Sequence, residues 1–158
     1  MSETKSRTGP GRVLIAVYAV FALAATARAT VQILTRFDEA PLAYLLSAFA
    51  GVVYIVATVG IARTGETSHR VAAVACTVEL LGVLIVGALS MVSPATFPDD
   101  TVWSRFGSGY LFIPLVLPVL GLLWLRHLAR LGRRPVSPAR PRPASETHAP
   151  NGARPGTR

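Results

Sequence analysis

Four long apolar blocks, separated by short polar stretches, organise this chain: Val13–Leu34, Leu42–Ile61, Val71–Val92 and Tyr110–Leu125. An α-helix of about 20 apolar residues crosses a hydrocarbon core roughly 30 Å thick, and the first three blocks meet that length. The fourth is shorter and holds Pro114 and Pro118, yet no charge interrupts it before Arg126. Helices of a soluble bundle would show a polar face recurring every ~3.6 residues. These blocks are apolar nearly all round, so the pattern predicts membrane spans. The tight connectors "TRFDEAP" and "RTGETSH" make successive spans antiparallel neighbours. The expected fold is an all-α, antiparallel four-helix transmembrane bundle over residues 13–128. A disordered lead-in, 1–12, precedes it, and a disordered Pro/Arg-rich tail, 129–158, follows.

Charge adds a direction to this arrangement. The net charge of +8 comes from sixteen Lys and Arg residues, and thirteen of them fall on one side of the four spans. These are Lys5, Arg7 and Arg12, then Arg63 and Arg70, then every arginine from Arg126 onward. The other side holds Arg36 and Arg105 beside Asp38, Glu39, Asp99 and Asp100. By the positive-inside rule both termini are cytoplasmic, and Tyr44, Trp103 and Tyr110 are expected at the outer interface with Trp124 at the inner one. Arg126, Arg130, Arg133 and Arg134 follow the last span directly. Such a cluster attracts anionic lipid headgroups at about 1 kcal/mol per residue near the surface. Nucleic acid is disfavoured as a partner, since no aromatic residues interleave with these arginines to stack on bases.

The segment "ATARATVQIL" (25–34) places Arg28 inside the first span, with Gln32 one turn later. Inserting a central arginine costs roughly 2.5–3.5 kcal/mol. Tyr18, Ala25, Arg28 and Gln32 share one helical arc that is polar or small throughout, so this face is expected to point into the bundle. Glu79, in "VACTVELLGV", is the second ionisable residue within a span. Opposite charges suggest a pair, although the two backbones differ in depth by about 10 Å; an extended Arg28, helix tilt or a bridging water would have to close that gap. Ser47 lies near the level of Arg28, and Tyr18 and Tyr54 near that of Glu79. Pro114 and Pro118 deprive the carbonyls of Tyr110 and Pro114 of their usual donors, which makes them further acceptors for the guanidinium. The expectation is an outer cluster of Arg28, Gln32 and Ser47 over an inner cluster of Tyr18, Tyr54 and Glu79. Such a polar set either holds the bundle together or forms a small-molecule, ion or proton site. The small-residue spacing Ser47-xxx-Gly51 permits close helix packing and points weakly to self-association.

"Ala27-Arg28-Ala29" also fits the small-x-small pattern of a signal-peptidase site, with cleavage after Ala29. The apolar segment continues through "VQIL", however, and retention of the whole span is the stronger reading. His69, His127 and His148 have no metal-ligand spacing with Cys76 or with one another. There is no phosphate-binding glycine loop and no nucleophile elbow. The sequence therefore nominates no catalytic, cofactor-binding or metal-binding residue, and an enzyme ranks last among the readings.

The interior Arg28, the turn "TRFDEAPLAYLLSAFAG", the span "VACTVELLGV", the proline-broken last span and the basic tail together resemble small, uncharacterised four-span integral membrane proteins of bacteria. The likeness covers nearly all of residues 12–128 and is one of architecture. It implies a multi-pass protein of the bacterial cytoplasmic membrane and attaches no activity. The leading expectation is a non-enzymatic protein acting by association, as an envelope component, partner subunit or regulator, with itself or another membrane protein as partner. The alternative is a small oligomeric transporter or channel-like protein that uses Arg28 and Glu79.

Overall fold

The computed structural model describes residues 9–132, in which four long helices follow one another: α1 (Pro10–Arg36), α2 (Pro41–Ala62), α3 (Glu66–Val92) and α4 (Ile113–Gly132). Each is long and apolar enough to cross a membrane. The chain is an all-α membrane protein, a four-helix transmembrane bundle. Local sequence explains the ends of its helices. Pro10 and Pro41 open α1 and α2 at positions where a missing N–H costs nothing. Gly65 turns the chain into α3 with φ of 129°, a left-handed-region value that a side chain would resist. Pro94 closes α3 from beyond its last residue.

The side chains are sorted as a lipid solvent demands. Alanines 25, 29, 50, 57 and 72 are buried with Tyr18 and Tyr54, whereas Leu23, Leu34 and Val92 point outward. Lipid tails are as apolar as leucine, so outward leucines need no cover, and small residues inside let backbones approach. Successive helices pack together, α1 on α2 most extensively, while α1 and α4 touch only sparsely. The start of α1 and the later part of α4 share one end, where Gly11 meets the indole of Trp124. That end carries Arg12, Arg63, Arg70, Arg126 and Arg130; the opposite end carries Asp38, Glu39, Asp99 and Asp100. We refer to them as the basic and acidic ends.

The expected segment boundaries shift slightly. Residues 10–12 and 129–132 are helical, so α1 and α4 reach past the apolar blocks that announced them. Residues 110–112 are not part of α4, which begins at Ile113 and so puts Pro114 in its first turn. The rest of the tail, with Arg133 and Arg134, lies outside the described residues. The Ser47-xxx-Gly51 spacing is used within one chain: both residues are buried, and Gly51 lies against Thr26 of α1. A Cβ added to Gly51 would come within 2.8 Å of Thr26 Oγ1 and 3.3 Å of its backbone nitrogen. Close helix approach accounts for that glycine without a second copy.

Gly51→Ala should therefore lower stability by about 1–3 kcal/mol, the usual cost of forcing atoms into a packed site. Thr26→Ala in the same chain should restore part of it, because Oγ1 is the nearest obstacle. Thermal unfolding in mild detergent measures both, and an unchanged Gly51→Ala protein would contradict this packing.

Candidate functional site

Between α3 and α4 the chain does not loop freely over the acidic end. Residues 93–112 turn back onto the bundle, and the first three helices each grip this connector. From α1, Arg28 Nη1 donates to the Tyr110 hydroxyl at 2.7 Å and Nη2 to the Asp100 carbonyl at 2.9 Å. From α2, the Tyr44 hydroxyl donates to Asp99 Oδ2 at 2.7 Å. On α3, Ser90 Oγ accepts the backbone N–H of Arg105 at 2.8 Å. At the centre of the connector, Trp103 is buried with 1% of its surface exposed, and its ring lies where a Cβ on Gly82 would be only 2.6 Å away. Its indole N–H donates to the Tyr54 hydroxyl at 3.3 Å.

The backbone yields to this insertion. Arg105, Phe106, Leu111 and Phe112 all have φ between 49° and 59°, the left-handed region that costs a side-chain-bearing residue about 1–2 kcal/mol. Contacts hold them there: Phe106 packs on Gly87, and the Phe112 N–H reaches the Gly107 carbonyl at 3.0 Å. Within the connector, Ser104 Oγ accepts the Thr101 N–H at 2.9 Å and Thr101 Oγ1 accepts the Trp103 N–H at 3.1 Å. Those bonds satisfy donors that the insertion takes out of water.

A second polar group lies deeper. Glu79 is fully buried and accepts the Tyr18 hydroxyl at 2.9 Å through Oε2. The Cys76 thiol is 3.3 Å from the same hydroxyl oxygen. With its one proton aimed at Glu79, Tyr18 is left to accept from the thiol. Glu79 Oε1 has no partner among the described residues. Tyr54 packs beside Tyr18, with ring centroids 6.2 Å apart, and makes its hydrogen bond upward to Trp103.

The structure thus regroups the residues singled out by sequence. Tyr18 and Glu79 meet as expected. Arg28 and Glu79 do not pair. Tyr18 lies ten residues before Arg28 on α1, about 15 Å along the helix, so the carboxyl is held well below the guanidinium. Arg28 finds a tyrosine hydroxyl and a connector carbonyl rather than the carbonyls of Tyr110 or Pro114. Ser47 bonds back to the Ala43 carbonyl of its own helix at 2.9 Å and takes no part in an Arg28 cluster. Gln32 is buried, its Oε1 without a partner among the described residues, in a pocket of about 510 Å³ at the acidic end that Arg28, Arg36 and Asp99 also line. Trp103, expected at the interface, is packed inside, and Tyr44 is fully buried beneath Asp99. Arg126 and Arg130 are exposed on the last turns of α4. Among the described residues no group of three or more His, Cys, Asp or Glu side chains is placed to hold a metal ion.

Sequence reasoning missed the roles of Trp103, Tyr110 and the Asp100 carbonyl. The density of Trp, Tyr, Phe and Gly in "TVWSRFGSGY" was the available signal, since a solvated loop has little use for it.

No family model, curated protein or solved structure matches this chain. What stands is the architecture, four long apolar helices with a connector packed back onto them.

Two double-mutant cycles test this regrouping. Arg28→Ala combined with Tyr110→Phe should show a coupling of about 1–2 kcal/mol, the upper part of the range for polar contacts between membrane helices. Arg28→Ala combined with Glu79→Ala should be additive within about 0.5 kcal/mol, because the two residues share no partner. Strong coupling in the second cycle would restore the direct ion pair.

Proposed function

We propose that this chain is a multi-pass component of a bacterial cytoplasmic membrane, with both termini cytoplasmic, that acts without catalysis by associating with itself or with another membrane protein. The observation that carries this reading is where Arg28 goes. A residue costly enough to demand a function spends its donors on fastening the 93–112 connector. The result is a preformed surface at the acidic end, beside a pocket whose Gln32 acceptor is unspent. A rigid face loses little entropy when a partner docks on it, which favours association. The positive-inside pattern supports the orientation, and the same pattern gives Arg126, Arg130, Arg133 and Arg134 the role of meeting anionic headgroups.

One observation favours a second reading, a small oligomeric transporter. The unpartnered Glu79 Oε1 is a buried carboxyl oxygen available to a proton or cation, and intramembrane carboxylates commonly serve transport. That reading requires water to reach Glu79 in some state of the protein.

Cys76 is the only cysteine in the chain and sits at the same Tyr18 hydroxyl as Glu79, so it reports on that path. Under the association reading, a small water-soluble methanethiosulfonate leaves Cys76 unmodified in native membranes and labels it after denaturation. Extraction in mild detergent then yields a homo-oligomer or a stoichiometric partner complex. Ready labelling in membranes would favour transport, and a lone monomer would remove the support for association.

A further inference from the structure

The basic end holds a pocket of about 610 Å³ that none of these interactions uses. Arg12 near the start of α1, Arg63 just after α2 and His69 in the first turns of α3 line it together with Trp124 of α4; Ile15 and Ile61 supply an apolar wall. Four separate parts of the chain thus bring two guanidinium groups, an imidazole and an indole to one cavity. Gly11 helps to fix the indole, since a Cβ there would lie 2.7 Å from Trp124 Cζ2.

The two arginines that line this pocket carry no counter-charge beside them among the described residues. Arg36, Arg70 and Arg105 each have a carboxylate within 4 Å. Arg12 and Arg63 have none among the described residues, although both line the same cavity. Two uncompensated guanidinium groups repel each other unless an anion sits between them, and their planar forks suit the oxygens of a phosphate. Inorganic phosphate would gain nothing from Ile15 and Ile61. A phosphodiester carrying a glycerol and acyl chains would.

We propose that this pocket binds one anionic phospholipid of the leaflet at the basic end, with the phosphodiester held by Arg12 and Arg63 and the glycerol end against Ile15 and Ile61. The site is separate from the arginines after the last span. It makes a particular lipid part of the folded bundle, filling the cavity that the basic ends of α1, α2 and α4 enclose.

Native mass spectrometry of the delipidated full-length protein tests this, with phosphatidylglycerol, phosphatidylcholine, glycerol 3-phosphate and inorganic phosphate added separately. One phosphatidylglycerol should be retained per chain, with little retention of phosphatidylcholine or of either water-soluble phosphate. Arg12→Gln with Arg63→Gln should weaken phosphatidylglycerol binding by about tenfold or more. Arg63→Lys keeps the charge without the fork and should give an intermediate loss, and Arg70→Gln, at the same end but outside the pocket, should bind as wild type. All the substituted arginines are exposed, and each variant's melting curve confirms that it folds. The proposal is overturned if the Arg12/Arg63 variant binds as wild type, or if the Arg70→Gln variant loses as much. Equal retention of the free phosphates would overturn the lipid assignment in favour of a soluble anion.

Discussion

A guanidinium inside a membrane helix must place its N–H donors without bulk water, and that requirement shapes this bundle. Arg28 lies about 12 Å along α1 from the helix end at Arg36. An extended side chain snorkelling toward solvent is the usual answer. Here the chain between α3 and α4 comes down to the arginine and presents a tyrosine hydroxyl and a backbone carbonyl. Once that segment descends, its own backbone needs partners, and its largest side chain needs room. Ser90, Ser104 and Thr101 supply the partners, and Gly82 leaves the space that Trp103 fills. The left-handed residues at 105, 106, 111 and 112 are the conformational cost of returning the chain to the start of α4.

This arrangement divides the polar residues by depth. Near the acidic end, Arg28, Tyr44, Tyr54 and Ser90 all engage the connector. Deeper, Tyr18, Cys76 and Glu79 form a group of their own. Aromatic rings lie between the two levels: Phe21 makes edge contacts with both Tyr54 and Tyr110 at centroid distances of 5.8 and 6.0 Å. An interior filled in this way is closed around Glu79 in this conformation.

Much of the architecture is written in hydrophobic pattern, which acts locally. Blocks of about 20 apolar residues have few alternatives to spanning, and prolines and glycines at their borders set the ends of the helices. Tyr18 meeting Glu79 was legible for the same reason, because helical rise fixes depth and depth brought the two together. The pairing of Arg28 with Glu79 was suggested by charge alone and failed on depth, which opposed it from the start. Trp103 was misplaced because an aromatic residue in a connector is usually interfacial; its burial depends on Gly82, about twenty residues away, and no local rule couples the two. Ser47 shows the same limit: a hydroxyl on an inward face has its own helix's carbonyl within reach, and took it.

The central claim is that Arg28 holds the connector on the bundle. Amide hydrogen exchange at Thr101, Trp103 and Arg105 tests it most directly: the Arg105 N–H bonds to Ser90 of α3 only when the connector is docked, and docking buries Thr101 and Trp103 together with the local bonds their N–H groups make. In the wild-type protein these amides should be protected. Arg28→Ala should release them while α1, α2 and α3 keep their protection. Equal protection in both proteins would show that the connector stays in place without the arginine, and the account would fail at its first step.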